Sequence, residues 1–302
     1  MNWFFIALLG PILYATSNHI DKYLVSKYLP NKEVGSLIIF SSIFSIIALP
    51  IIIIIQPDVL SISLLNILSL IISGSIVIIS ILCYLYALQK DEATLVVPWY
   101  QTIPIFAFIL GYFILGEKLL ENQIYASIII IVGAIILSFD ITETKLRFKK
   151  RLVILMLSAS FFYALSDVVF KLIALDNGFW ISLFWSLVGK VIIGIIFFVF
   201  IKSYRIQFIE VVRLSGKKIM GVNSINEVLT IFADSVVQYA ILLAPITLVL
   251  LVNGFQPFFV FIIGLGLTIF APQISKENVT KKILLQKFIG IVIIITGSIF
   301  LR

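Results

Sequence analysis

The chain has 302 residues, of which 61% are hydrophobic and only 12% are charged. Because soluble domains carry about a quarter charged residues, this composition excludes an ordinary water-soluble globular protein. The net charge of +7 comes without a basic helix, a zinc-ligand spacing or an aromatic RNA-binding motif, so it does not indicate a nucleic-acid partner. The single cysteine, Cys83, can form no internal disulfide.

Apolar runs of about 17–25 residues recur along the chain, the length that a helix needs to cross a bilayer. No basic residue precedes the first run, and its helical pattern continues to about Leu24, so we predict that it remains uncleaved as span 1. In the first half the predicted spans are 3–24, 35–55, 64–88, 95–115 and 122–139. In the second half they are 152–172, 179–201, 220–242, 246–270 and 285–301. The short linkers favour antiparallel hairpins of neighbouring helices.

Two stretches of the chain match each other without a gap. Residues 86–111 align with 239–264, and ten of these 26 positions are identical. The starts of the two halves also agree: Tyr14-Ala15-x-Ser17-Asn18-x-x-x-Lys22 corresponds to Tyr163-Ala164-x-Ser166-Asp167-x-x-x-Lys171. We interpret the chain as two five-span repeats, 1–139 and 152–302, joined by a polar linker, 140–151. Because five is odd, the second repeat enters the membrane from the opposite side, which makes an inverted-topology repeat.

Further short motifs lie in the first half: Thr94-Leu95-Val96, Pro104 and Leu115-Gly116-Glu117-Lys118-Leu119. Together with the motif that starts each half, they resemble the signature of the EamA-type branch of the drug/metabolite transporter superfamily. The resemblance covers essentially the whole chain, and it implies two five-helix repeats and secondary transport without indicating the cargo. The second half departs from this signature, since it reads Phe270-Ala271-Pro272 where Gly-Glu would stand. The loop between spans 2 and 3, often basic in relatives, carries no positive charge.

Lysine and arginine residues concentrate in alternate loops. The loops after spans 1, 3, 5, 7 and 9 hold nearly all of them, whereas the opposite side offers little beyond Lys118 and Arg302. The positive-inside rule therefore predicts that both termini lie outside the cytoplasm. We expect a multi-pass protein of the plasma membrane, here a bacterial inner membrane.

A polar stripe runs along span 8. Its members recur at spacings of four, three, four and four: Asn223, Glu227, Thr230, Asp234 and Gln238. In an otherwise apolar helix, such a stripe faces a water-filled cavity or a partner helix. Lys190 lies at the middle of span 7, and Glu227 and Asp234 lie roughly 5 Å from its depth on either side. Either carboxylate is predicted to neutralise Lys190, which leaves the other for a cation or a proton.

Asp167 in span 6 and Asn18 in span 1 occupy equivalent positions of the two halves. An Asp167–Lys171 pair at a spacing of four is the alternative to a cavity role for Asp167. Lys22 and Lys171 lie near the ends of their spans, and we expect their ammonium groups to extend to the membrane surface. His19, the only histidine, is expected to be a hydrogen-bonded packing residue rather than a proton relay.

Each half has a proline inside a span, Pro104 in span 4 and Pro257 in span 9. Proline removes a backbone hydrogen bond and bends a helix, and polar side chains beside it can satisfy the backbone groups that it releases. Trp99, Tyr100, Gln101, Asn253 and Gln256 precede these prolines. Aromatic and amide side chains on a cavity wall suit an organic zwitterion or cation; a position in the interfacial aromatic belt is the alternative for Trp99. Glycines such as Gly111, Gly133, Gly264, Gly290 and Gly297 are expected to permit close helix packing.

The sequence therefore predicts an all-α integral membrane protein with ten transmembrane helices. We expect it to move a small organic metabolite, amino-acid-like, zwitterionic or cationic, by alternating access, with proton coupling or exchange. The residues predicted to contact substrate are Asn18, Tyr84, Trp99, Tyr100, Gln101, Tyr163, Asp167, Asn223, Glu227, Asp234, Gln238, Asn253 and Gln256. Lys190, Glu227 and Asp234 are the predicted charge-pair and coupling residues. No catalytic residue, metal or cofactor is predicted.

The expected partners are the substrate and the lipid bilayer, with no nucleic acid, and the protein is expected to be a monomer or a homodimer. A membrane-embedded lipid or prenyl transferase is an alternative. That chemistry needs clustered carboxylates or histidines, and Asp91-Glu92 is the only adjacent acidic pair. A scaffold protein without cargo is a third possibility.

Overall fold

A computed structural model describes residues 2–28, 34–90, 96–138, 150–214, 216–271 and 281–300, and regular structure in these ranges is helical throughout. We number the α-helices in chain order: α1 (Asn2–Tyr28), α2 (Val34–Phe44), α3 (Ala48–Ile55), α4 (Leu64–Lys90), α5 (Ile103–Leu110), α6 (Glu121–Ser138), α7 (Lys150–Asn177), α8 (Phe179–Phe200), α9 (Lys202–Leu214), α10 (Gly216–Leu243), α11 (Ile246–Val252), α12 (Gln256–Phe270) and α13 (Lys281–Ile299). A 3₁₀ turn, Ser45–Ile47, joins α2 to α3.

Eight helical segments within the described ranges are long and apolar enough to cross a bilayer. They coincide with predicted spans 1–3 and 6–10. The segments predicted as spans 4 and 5 are present as shorter apolar helices, Trp99–Leu115 and Glu121–Leu137. The all-α membrane class is thus confirmed. The linker predicted at 140–151 lies outside the described residues, except for Lys150 and Arg151, which begin α7.

The outward faces of the helices are strongly apolar. Ile54, Phe113, Phe200 and Phe270 are 81%, 78%, 79% and 86% exposed. Exposure of so many aliphatic and aromatic side chains to water would be unfavourable, whereas the hydrocarbon of a bilayer solvates them. The polar side chains described below are instead turned toward the interior of the helix bundle.

The helices of the two halves interdigitate. α1 packs along α10, and α4 packs along α7 and α8. α5 contacts α7 and α11, α12 contacts α1, and α6 pairs with α13 at one edge of the bundle. Side chains from both halves therefore meet at the centre, between α1, α4, α7 and α10.

The spans that contain Pro104 and Pro257 are interrupted helices, at the positions where the prolines predict a bend. In span 4, a 3₁₀ segment (Val97–Thr102) precedes α5, and a π-helical turn (Gly111–Leu115) follows it. In span 9, a 3₁₀ turn (Asn253–Phe255) separates α11 from α12. Pro104 and Pro257 each lie in the first turn of the helix that follows the 3₁₀ segment, where their missing N–H group has no helical partner to lose.

Glycines allow two pairs of helices to approach backbone to backbone. Between α6 and α13, a Cβ atom added to Gly133 would lie 3.0 Å from Ile294 N. A Cβ atom added to Gly290 would lie 3.1 Å from Gly133 O. This agrees with the close packing predicted for these glycines. A tighter crossing, which was not predicted, joins α4 to α8: a Cβ on Gly74 would lie 1.8 Å from Ser186 O.

One helix was not predicted. α9 lies between α8 and α10, where the sequence was interpreted as a loop, and it packs against α2. Its buried Tyr204 contacts the Tyr86 hydroxyl, and Gly35 N donates to Gln207 Oε1 at 3.0 Å. Burial and the hydrogen bond with Tyr86 both raise the pKa of the Tyr204 hydroxyl. α9 therefore fastens the second half to the first at the end of α4.

Candidate functional site

The polar stripe of α10 faces the interior of the bundle and contacts four other helices. Glu227 Oε1 accepts a hydrogen bond from Ser41 of α2 at 2.6 Å, and Thr230 lies 3.2 Å from the Ser17 hydroxyl of α1. Asp234 reaches α1 and α8, and Gln238 interacts with the Asp167 carboxyl group of α7. Asn223 is only partly buried. The stripe thus connects both halves at several depths.

An ion pair occupies the middle of this stripe. Lys190 Nζ donates to Asp234 Oδ2 at 2.7 Å, and the Tyr14 hydroxyl donates to Asp234 Oδ1 at 2.6 Å. Of the two carboxylates predicted to neutralise Lys190, Asp234 is the one that does so. Both oxygens of Asp234 are therefore occupied, whereas Glu227 accepts its hydrogen bond from Ser41 and is not paired with Lys190.

Two tyrosines at equivalent positions of the two halves meet beside the ion pair. The hydroxyl oxygens of Tyr14 and Tyr163 are 3.3 Å apart. Because Tyr14 gives its one hydroxyl proton to Asp234, Tyr163 is the donor in the contact between the tyrosines. Tyr163 Oη then keeps free acceptor capacity. Tyr100, whose ring lies 5.1 Å from that of Tyr84, extends the aromatic surface toward the end of α4.

Asp167 is the least satisfied of the central carboxylates. Its side chain is 3% exposed, and its Oδ2 atom is buried without a hydrogen-bond partner. The alternative pairing with Lys171 is wrong, because Lys171 points away, to Glu117. Asp167, Tyr163, Lys190, Asp234 and Gln238 line a small cavity, together with Val77 and Val237. The cavity offers about 10 Å³ to water-sized molecules, enough for about one water. We call it the central cavity.

A second buried ion pair lies near one end of the bundle. Lys171 Nζ lies 2.5 Å from Glu117 Oε1 and donates to Ala244 O at 2.6 Å, while Glu117 Oε2 accepts from Ile246 N at 2.8 Å. Lys171 is 5% exposed, so the prediction that its ammonium group reaches the membrane surface is wrong. The reason is that Glu117 follows the π-helical turn, which packs against α7, and its carboxylate reaches Lys171 inside the bundle. We call this arrangement the Glu117 latch. The Lys22 side chain lies outside the part of the chain that the structure describes.

Three polar residues near the stripe were not singled out from the sequence. Asn226 Nδ2 donates to Asp21 Oδ1 at 2.6 Å, and Ser41 donates to Glu227 as described above. Asp21 is an acidic residue inside predicted span 1, and this signal in the sequence could have identified it. Ser41 carries no such signal, since serines occur throughout apolar helices.

Several predicted substrate contacts do not line the central cavity. Asn18 is exposed on α1, and Gln256 is partly buried at the start of α12. Gln101 is buried close to Gly254, and Asn253 Oδ1 is buried without a hydrogen-bond partner. Trp99 packs with Tyr84 and Tyr100 against the apolar side chains of Leu152 and Met156.

His19 Nε2 contacts Val260 O at 2.9 Å, which fits its predicted packing role. Among the described residues, no group of three or more His, Cys, Asp or Glu side chains is placed to hold a metal ion.

Comparison with known proteins gives a fold for the whole chain and a family match for its first half. One solved structure, described only as a crystal structure of a protein, has a TM-score of 0.67 and 12% sequence identity, and the match covers 99% of this chain and 96% of that one. At this identity the likeness shows the fold alone. No curated protein matches the chain. Residues 1–139 match the model of the EamA-like transporter family. This match agrees with the resemblance noted from the sequence, and it covers the first of the two predicted repeats of this multi-pass membrane protein.

Proposed function

We propose that the protein is a secondary transporter that moves a small organic metabolite, zwitterionic or cationic, across the bacterial inner membrane by alternating access. The observation that carries this proposal is the central cavity, where buried charges lie between the two halves. Buried ionisable groups in a membrane protein are costly and mark substrate or ion pathways. Tyr14 of the first half contacts Asp234 of the second, so a relative movement of the halves would change the site.

The packing of the helices supports an inverted repeat of ten spans. If each span corresponds to the span five later, α1 exchanges with α7, α4 with α10, and α5 with the helices of span 9. The contact of α1 with α10 then corresponds to that of α4 with α7, and the contact of α1 with α12 corresponds to that of α5 with α7. Such a pseudo-two-fold arrangement is the usual basis for two alternating states around a site near the midplane.

The dimensions of the central cavity bear on the transport cycle. It holds about one water molecule, so a metabolite enters only when the halves separate further. We infer that the described conformation is closed around the site. The tyrosine and amide side chains around it would contact the cargo as the cavity widens, and Glu227 is the carboxylate available for proton coupling.

The environment of the protein follows from its surface and its loop charges. The apolar outward faces fit a lipid bilayer as the surrounding partner, and the charge distribution supports termini outside the cytoplasm. We propose that the protein works as a monomer or a homodimer.

A thermal-shift screen with a broad panel of metabolites would identify the cargo, because a bound ligand raises thermal stability by mass action. Flux of each hit is then measured in proteoliposomes with and without a pH gradient. We expect Asp234→Asn to abolish flux and Glu227→Gln to abolish its dependence on the gradient. Glu210→Gln, an exposed change on α9, serves as the matched control.

Normal flux across a pH gradient in both Asp234→Asn and Glu227→Gln would remove the coupling role of the stripe. If wild-type protein neither binds nor moves any member of the panel, the transporter proposal fails.

A further inference from the structure

The central cavity is lined by hydrogen-bond acceptors that lack donors. Asp167 Oδ2 and Gln238 Oε1 are both buried without a partner, and the residues that carry them are 3% and 5% exposed. Tyr163 Oη adds acceptor capacity, since its proton is directed to Tyr14. A buried acceptor without a donor costs free energy, so each of these atoms favours a ligand that brings an N–H or O–H group.

The charges around the cavity favour a positive ligand. Asp167 and Asp234 are two carboxylates, and Lys190 is the single lysine or arginine among the lining residues. Since Lys190 is engaged by Asp234 at 2.7 Å, no second cation among the lining residues is left for the Asp167 carboxylate. A carboxylate in such a site is stabilised by an opposite charge within about 4–6 Å.

From these two observations we propose that the central cavity receives a primary ammonium group, with Asp167 as its carboxylate partner. An ammonium group has three N–H donors, and Asp167 Oδ2, Gln238 Oε1 and Tyr163 Oη are three acceptors for them. The group is about as large as the single water molecule that the cavity admits. The remainder of the molecule would extend from the cavity as the halves separate.

This inference rests on the proposed function, because the ammonium group is that of the cargo. It selects one class within the cations and zwitterions considered above, namely those with a primary amine. A quaternary ammonium has no N–H donor, so it would leave all three acceptors unsatisfied.

Binding, measured without transport, tests the proposal separately from the transporter function. n-Butylammonium is the probe, and it is titrated against the full-length protein in a non-ionic detergent, with melting temperature and calorimetry as the readouts. Tetramethylammonium and n-butyrate are the chemical controls, since one lacks donors and the other has the opposite charge. We expect only n-butylammonium to bind and to raise the melting temperature.

Variants locate the site. Asp167→Asn should weaken n-butylammonium binding about tenfold or more, because it replaces a charge-assisted hydrogen bond by a neutral one. Asp176→Asn, an exposed change on the same helix, should leave binding unchanged. Gln238→Glu should strengthen binding by adding a second carboxylate at an acceptor position, and it provides a gain-of-affinity test should Asp167→Asn not fold.

Equal binding of n-butylammonium and tetramethylammonium would overturn the proposal, as would unchanged affinity in Asp167→Asn or weaker binding in Gln238→Glu. The same holds if the melting temperature responds to pH alone and not to the amine, because the site would then take a proton. If n-butylammonium binds as described but no amine is moved in proteoliposomes, the ammonium site stands and the transporter function fails.

Discussion

At the scale of single residues, the main feature is that both lysines buried in the described part of the chain have an acidic partner. Lys190 pairs with Asp234 and Lys171 pairs with Glu117. In each case a main-chain or tyrosine group completes the hydrogen bonding, which is what a buried charge requires if its desolvation is to be offset. Removing one partner therefore leaves the other as an unpaired charge inside the bundle.

Lys190→Met is expected to lower the free energy of unfolding by about 3–5 kcal/mol, because the Asp234 carboxylate would remain buried without its cation. The double variant Lys190→Met/Asp234→Leu should recover much of this loss. Denaturant unfolding of the three proteins in detergent measures both values. Lys202→Met, at an exposed position of α9, is the control, and equal stability of Lys190→Met and wild type would contradict the expectation.

Glu117→Gln should be similarly destabilising, by about 3 kcal/mol, since Lys171 would lose its anion while the hydrogen bond to Ile246 N is kept. Glu121→Gln lies four residues further on and is exposed, so it should have little effect. Thermal melting of both variants in the same detergent compares them. A matched decrease in both would mean that the Glu117 latch contributes no more than a surface charge.

At the scale of helices, the glycines at the crossing of α4 with α8 leave the least room for a side chain among the described glycines. Gly74 faces Ser186 O, and Gly189 faces Ile71 O, where an added Cβ would lie only 2.1 Å away. No side-chain rearrangement can relieve a clash with a backbone carbonyl. The two helices would have to separate.

Gly189→Ala should therefore destabilise the protein by about 3 kcal/mol or more. Gly221→Ala on α10 is the matched control, because no atom lies within 4 Å of its added Cβ. That control should be neutral or stabilising by about 0.5–1 kcal/mol, since alanine favours helix over glycine. Unfolding in detergent distinguishes the two, and a harmless Gly189→Ala would show that α4 and α8 can move apart freely.

The helices themselves were largely predictable from the sequence. The thickness of a bilayer sets the length of an apolar run, so the predicted limits of α4 (64–88) and α10 (220–242) lie near those observed, Leu64–Lys90 and Gly216–Leu243. α9 was missed because a helix that lies outside the apolar runs, with Lys202, Arg205, Glu210 and Arg213 along it, has the composition of a loop.

The partners of the polar residues were less predictable. Periodicity places Glu227 and Asp234 on one face of α10, but it does not specify which helix lies opposite. The pairing of Ser41 with Glu227 joins residues 186 positions apart. Lys171 was assigned to the surface because depth alone was considered, whereas the position of Glu117 depends on a π-helical turn that has no clear sequence signal.

At the scale of the whole molecule, the predicted orientation puts the two ends of each membrane span on opposite sides of the membrane. Lys150 begins α7, Lys118 follows the π-helical turn of span 4, and both side chains are exposed. The loop charges predict that Lys150 lies in the cytoplasm and Lys118 outside it.

Single cysteines at these two positions, introduced after replacing Cys83 by serine, test this orientation in intact cells. A membrane-impermeant maleimide should label Lys118→Cys from outside and should label Lys150→Cys only after the membrane is permeabilised. The opposite pattern would reverse the topology. It would leave the helix packing and the central cavity unchanged.

The Glu117 latch bears on which face of the protein opens first when no cargo is bound. The position that corresponds to Glu117 in the second half is Phe270, which is 86% exposed and cannot form an ion pair. The two faces therefore differ: one holds a buried carboxylate and ammonium pair, whereas the equivalent position of the second half has no carboxylate. Opening the first face means parting two charges in a medium of low polarity, so we expect that step to be the slow one. In the proposed transport cycle we therefore expect the empty protein to open more readily on its other face, the side of Asp21 and Asn226.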